Sequence, residues 1–232
     1  MAEYKVNKST ILKDVRVLLD EQRDNSALIS DEDTVSMETD DIIWSYIEQA
    51  VDEVHMSAAV WMIKDVTEEQ TLGLSDAKVA RGRGKFGDLP DTFMRLIRVD
   101  AEDWLVPCYE PIDQDSDEYL MQHSKWSGVK GNTERPVVAV VPGTSDSSIK
   151  LKLEVFTTSC SQVNISYVKR AQISEGTDPE VLIAKHCYRA LLYTLAKYYL
   201  MTLGDVEKAS LFGATAGGLM GMTETETTEA TA

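Results

Sequence analysis

From Thr10 the apolar residues Ile11, Val15, Leu18 and Leu19 recur at helical spacing, the stripe of an amphipathic helix that fades near Gln22. Residues 23–39 are polar, with an Asp31-Glu32-Asp33 run, and read as a long loop. Thr39 and Asp40 can then cap a second helix whose stripe, Ile43, Ile47, Ala50, Val54, Ala58 and Trp61, steps by three or four throughout. That stripe predicts one helix of about 22 residues. Residues 67–88 break the periodicity with Gly73, Gly82, Gly84 and Gly87 and read as a flexible connection.

After Leu89-Pro90 the period falls to two. Phe93 to Val99, Trp104 to Tyr109 and Pro136 to Val141 read as short strands. Ile149 to Val155 alternates strictly, and Val163, Ile165 and Tyr167 alternate again beyond a turn, so 149–169 reads as a hairpin with one wet face. Asp178-Pro179-Glu180 has the capping residue, proline and early acid of a helix start. The helix so predicted runs to Gly204 and is apolar on more than one side, with a short helix from Asp205 to Phe212 after it. The expected fold class is α+β. Helices from 1–66 and 171–212 form a bundle, 67–88 is a Gly/basic loop, 89–170 is an inserted antiparallel β segment, and 213–232 is a flexible arm.

Length and composition support this reading. The chain has 232 residues, 43% apolar and 27% charged, which is enough for a packed core. Its net charge of −16 argues against a protein whose affinity rests on neutralising phosphates. Residues 1–60 hold fourteen acids and five bases, and residues 100–120 hold eight acids and no base, so two segments carry the imbalance. Such faces are either solvated or meet a basic partner or repelled DNA. The start, Met1-Ala-Glu-Tyr4, lacks a basic region followed by an apolar one, and the apolar runs are too short for a membrane span, so an intracellular or particle-borne protein is expected.

Motifs for chemistry fail at their second requirement. Gly82-x-Gly84-x-x-Gly87 has the letters of a dinucleotide fingerprint, but Asp88-Leu89-Pro90 follows where a helix should begin. Arg81, Arg83 and Lys85 remain candidates for a loop that touches DNA or an acidic neighbour. Asp113-x-Asp115-x-Asp117 begins like a calcium loop, but Glu118 stands where glycine is needed and Ser124 where the bidentate acid is needed. Ser75-x-x-Lys78 and Ser166-x-x-Lys169 lack the further motifs of an acyl-enzyme. His186 and Cys187 are helix neighbours that point about 100° apart. Three cysteines at wide spacing suggest neither a disulfide framework nor a zinc site. No enzyme, cofactor or metal is expected.

The organisation resembles the head-to-tail adaptor (connector, or gatekeeper-type) ring proteins of short-tailed bacteriophages, the crAss-like group among them. The resemblance rests on Ile42-Ile43-Trp44 through Ile63, on Gly87-Asp-Leu-Pro-Asp-Thr-Phe-Met-Arg-Leu-Ile-Arg-Val99 with Trp104-Leu-Val-Pro107, and on Tyr188-Arg-Ala-Leu-Leu-Tyr193 with Lys208-Ala-Ser-Leu-Phe212. It implies a structural virion protein, assembled in the host cytoplasm, that closes about twelve copies into a ring. The ring would dock on the portal, carry tail or further ring proteins, and let genomic DNA pass, with no membrane partner. Asp113, Asp115 and Asp117 are then candidates for a channel lining or an interface. Leu219, Met220 and Met222 are the candidate apolar anchor of the arm. A different class of reading is an acidic module that mimics DNA to occupy a basic host factor.

Overall fold

A computed structural model describes residues 4–19, 34–76, 84–143 and 150–221. The chain is α+β, with antiparallel sheets, and divides into two compact units. One is helical and combines the chain up to Val66 with the chain from Arg170 onward; the other is the β unit Thr67–Lys169.

In the helical unit, a short strand β1 (Lys5–Asn7) leads into α1 (Lys8–Leu18), which buries Ile11, Leu12 and Val15. α2 (Thr34–Ser45) begins before the expected cap at Thr39 and Asp40. The single long helix predicted from there to Trp61 is broken. Tyr46 leaves helical geometry (φ −94°, ψ 0°), α3 (Ile47–Ser57) follows, and Ala58 is extended. The apolar stripe survives the break, since Ile43, Ile47, Ala50 and Val54 are all buried, so periodicity alone could not reveal it. Trp61 falls in a 3-10 turn and stands 63% exposed, outside the stripe.

Asp178-Pro179-Glu180 does not start a helix. Glu180–Leu182 is a strand that pairs antiparallel with β1. The Asp178 carboxylate instead accepts the Ser9 backbone N–H (2.9 Å) and the Ser9 hydroxyl (2.8 Å), in the first turn of α1. α5 (Tyr188–Thr202) starts later than expected, buries Leu191, Leu195 and Ala196, and packs against α1, α2, α3 and α6 (Val206–Leu219). The Asp205 side chain accepts from the Lys208 N–H and caps α6. α6 does not stop at Phe212, so the boundary of the arm expected over 213–232 is corrected as far as Gly221, and 222–232 lie outside the described residues. Residues 213–219 are helical because Ala216 and Met220 are buried and the Met220 carbonyl accepts the Ala59 N–H (3.1 Å). That packing overrides the poor helix propensity of Gly217 and Gly218.

In the β unit, the connection expected over 67–88 supplies two strands, β2 (Thr67–Gly73) and β3 (Lys85–Asp88). β2 pairs over its full length, yet Leu72 is its one buried side chain, so the strand leaves almost no hydrophobic trace in the sequence. Next come β4 (Phe93–Asp100), α4 (Asp117–Gln122), β5 (Val138–Gly143), β6 (Lys150–Val155) and β7 (Gln162–Lys169), and Glu180–Leu182 of the helical unit is β8. The sheets run β2-β7-β4 and β3-β6-β5. The predicted hairpin is therefore corrected: β6 and β7 are strands, but they belong to different sheets. Alternation specifies a strand face, not the partner. Trp104–Tyr109 is not a strand either; it makes one bridge, Val99 to Cys108. The core of the β2-β7-β4 sheet centres on Phe93, Val99, Trp104, Ile165 and Tyr167. A smaller cluster holds Phe86, Tyr119, Ala139 and Val141.

Candidate interaction surface

Between β4 and β5 the chain makes an excursion, 101–137, whose only α-helix is α4. Its entry is fastened by Asp103, which accepts from the Thr158 hydroxyl (2.8 Å) and from the Ser159 N–H (2.7 Å) and hydroxyl (3.0 Å). Partial burial pushes the Asp103 carboxyl up, but these donors outweigh it and hold the group at about 2. Trp104 tucks its ring into the core and donates its indole N–H to the Thr157 carbonyl (2.6 Å).

α4 is fixed from beneath by a buried carboxylate. Glu154 of β6 is fully enclosed and accepts the Tyr119 hydroxyl (2.7 Å) and the Gly84 backbone N–H (2.8 Å). The strict alternation of β6 predicted a solvent-facing Glu154, and the structure places it inside. Gly84 must be glycine here, because a Cβ would stand 2.5 Å from the Val155 carbonyl oxygen. One carboxylate thus pins both the start of β3 and the helix that carries Asp117.

The three aspartates singled out from the sequence lie together at the outer end of this arrangement. The Asp113 carbonyl accepts from the Ser116 N–H (3.1 Å) and hydroxyl (2.7 Å), and Ser116 in turn caps α4 by accepting the Tyr119 N–H. Asp113, Asp115 and Asp117 are exposed, and Asp117 and Glu118 sit in the first turn of α4, where negative charge is favoured. Sequence reasoning missed the exposed apolar side chains of the same excursion: Leu105 (73%), Tyr109, Leu120, Met121 and Trp126 (78%). The available signal was the placement of these large apolar residues within and just after the acid-only stretch 100–120.

The other candidates separate from this surface. Lys85 donates to the Ser159 and Cys160 carbonyls (3.0 and 2.8 Å) and so ties β3 to the β6–β7 connection instead of reaching outward. Leu219 is half-buried and Met220 buried, so neither is a free anchor. Arg81, Arg83 and Met222 lie outside the described residues. The glycine fingerprint enters strand β3, not a helix N-terminus. Ser166 and Lys169 point to opposite faces of β7, and Lys169 pairs with Glu68 (2.7 Å). Burial pushes the Cys108 thiol up and the Cys187 thiol to about 11, so both stay protonated. Among the described residues no three His, Cys, Asp or Glu side chains are placed to hold a metal ion, and no helix is long and apolar enough to cross a membrane.

The wet face of β2-β7-β4 forms an open polar groove of about 350 Å³ where Arg98 pairs with Asp100 (2.6 Å). No protein-family model and no curated protein matches the chain.

Proposed function

We propose that this is a structural, non-enzymatic virion protein of a tailed bacteriophage, about twelve copies of which close into a ring between the portal of the capsid and the tail. Its helices form the bundle of each subunit. The observation that carries this reading is the insertion of an antiparallel β unit, 67–169, between two helical stretches that come together in one unit. That is the organisation on which the resemblance to adaptor rings rests. The charge agrees with a conduit: at −16 per copy the ring offers DNA few of the phosphate contacts that would arrest it during packaging or ejection.

The exposed carboxylates of the excursion also suit the second reading, an acidic module that occupies the DNA site of a basic host factor. Native mass measurement and electron microscopy of the purified chain, alone and with its portal, separate the two. Closed rings that bind portal are expected. Strict monomers with portal present, together with competition against DNA for a basic protein, would replace the adaptor reading.

A further inference from the structure

The segment that follows α4 comes back to the helix at one side chain. Gln122 is buried, donates from its Nε2 to the Glu118 carbonyl (3.1 Å) and accepts the Gly131 backbone N–H at its Oε1 (2.8 Å). α4 and the 128–131 segment, joined in this way, line a cavity of about 330 Å³ that Ile112, Arg135 and Val137 complete. Its other sides are fixed by backbone bonds. Ile112 donates to the Val138 carbonyl (2.9 Å), and a turn from Asn132 to Arg135 is closed by two backbone bonds between its ends (3.1 Å each). The Asn132 side chain accepts the Glu134 and Arg135 N–H groups as well (2.9 and 2.8 Å). Gly131 has no room for a side chain, since a Cβ would stand 2.8 Å from the Val137 side chain. Walls held this firmly lose little freedom when a ligand enters.

Two kinds of side chain line the cavity. Ile112, Met121, Val129 and Val137 supply apolar surface, and Lys130 and Arg135 supply positive charge. In a chain of 39 acids and 23 bases a cation has many acids to pair with, yet neither Lys130 nor Arg135 makes an ion pair among the described residues. Glu118 lines the same cavity and pairs with neither. Residues 121–137 hold three bases and one acid, a local reversal of the chain's overall sign. Small-ligand sites are concave and mostly apolar with a few polar groups, about 300–1,000 Å³ in volume. This cavity has that make-up at the small end of the range, and its charge favours an anion.

We propose that the cavity beside α4 is a binding site for a small monoanion on an aliphatic stem, a short-chain carboxylate being the simplest. The stem packs on Ile112, Met121, Val129 and Val137, and the carboxylate accepts from Lys130 and Arg135. A planar carboxylate matches the guanidinium fork of Arg135. Glu118 selects against higher charge, because it repels a dianion about twice as strongly as a monoanion. The site lies within the β unit and does not depend on assembly.

Hexanoate is the probe, added to the full chain and followed through the amide chemical shifts of Gln122, Val129, Gly131 and Arg135. Hexan-1-amine and hexan-1-ol carry the same stem with the opposite charge or none. At −16 the chain as a whole attracts the amine and repels the carboxylate, so a preference for hexanoate has to come from the local cations. Hexanoate should bind at least about tenfold tighter than either control, the gain expected from charge-assisted hydrogen bonds. Lys130→Gln with Arg135→Gln should remove that advantage. Arg135 is exposed and Lys130 half-buried, and circular dichroism with thermal melting checks that the variant keeps its fold. Glu118→Gln should tighten hexanoate about twofold or more, a gain that a loosened fold would not give.

Equal affinity for hexanoate and hexan-1-amine, or hexanoate binding that is unchanged in the Lys130/Arg135 variant, would overturn the site. Shifts confined to residues outside 112–137 would overturn it too, as would a Glu118→Gln variant that binds hexanoate more weakly at an unchanged melting temperature.

Discussion

His55 in the helical unit and Glu154 in the β unit are both closed off from solvent, at 2% and 0% exposure, but their surroundings treat them differently. His55 accepts the Ala184 backbone N–H at its Nε2 (3.3 Å), and its Nδ1 has no hydrogen-bond partner among the described residues. Burial alone pushes its pKa down to about 4, so the ring stays neutral. Glu154 accepts from a tyrosine and a backbone amide on two other elements. The helical unit tolerates its polar group inside an aliphatic core that already closes through Ile43, Val54, Ile183 and Leu195. The β unit uses its polar group as a fastener, tying α4 and the start of β3 to β6 beside the small cluster of Phe86, Tyr119, Ala139 and Val141. Where cores are small and strands are wet, a buried hydrogen-bonded carboxylate supplies positioning that packing does not.

The strongest way to break this contrast is Glu154→Ala. Two donors lose their partner and a cavity opens, which should cost the β unit about 4 kcal/mol in denaturant unfolding. Tyr119→Phe, which removes one hydrogen bond and no volume to speak of, should cost about 1 kcal/mol. If α4 is held by Glu154, the alanine variant should also raise hydrogen exchange at 117–122 well before the sheets open. Unchanged exchange there would mean that α4 is held by something else.

The helical unit is tested by pH. A His whose folded pKa lies near 4, below its ordinary 6.5, contributes its full stability above pH 6.5 and loses it as pH falls from 6.5 to 4, because the unfolded chain binds the proton first. The loss should total about 3 kcal/mol. His55→Gln keeps an acceptor for the Ala184 N–H and cannot titrate. Its helical melting temperature should therefore be flatter than wild type across that window, and an identical slope would assign the pH dependence elsewhere.

A third comparison contrasts two C-terminal truncations. A chain ending at Gly221 should melt like the full chain, whereas one ending at Phe212 loses the buried Ala216 and Met220 and should lose about 2 kcal/mol. Equal melting of the two would restore the arm boundary at 213 that the sequence suggested.

Elements with long apolar stripes or clean alternation were legible in advance: α1, the α2–α3 stripe, β4, β5 and β7 stand where periodicity put them. What escaped has a common cause, in that it depends on partners far along the chain. β2 is recognisable only once β7 pairs with it, and the burial of Glu154 only once Tyr119 and Gly84 arrive. Of the candidate site, the aspartates 113 to 117 were visible through their charge, while Leu105 lay in a stretch that reads as a strand until its exposure is known.

Asp178 gives the smallest and most local test of that lesson. Its Asp-Pro-Glu setting is a helix start by every local rule, yet its carboxylate serves the first turn of α1 across 169 residues of chain. The Ser9 N–H is the chief reason its pKa lies below the ordinary 3.8, with the Ser9 hydroxyl second and Asn7 adding to both. A lowered folded pKa means that the contribution is present above the ordinary value and lost as pH falls through it. Asp178→Ala should leave the β unit untouched and the end of α1 unaffected, but should speed hydrogen exchange at Ser9 and its helical neighbours at neutral pH. Asp178→Asn, which keeps one oxygen acceptor without the charge, should give an intermediate rate. If the fastest exchange appears instead at Val181 and Leu182, the carboxylate serves its own strand and the remote cap is wrong.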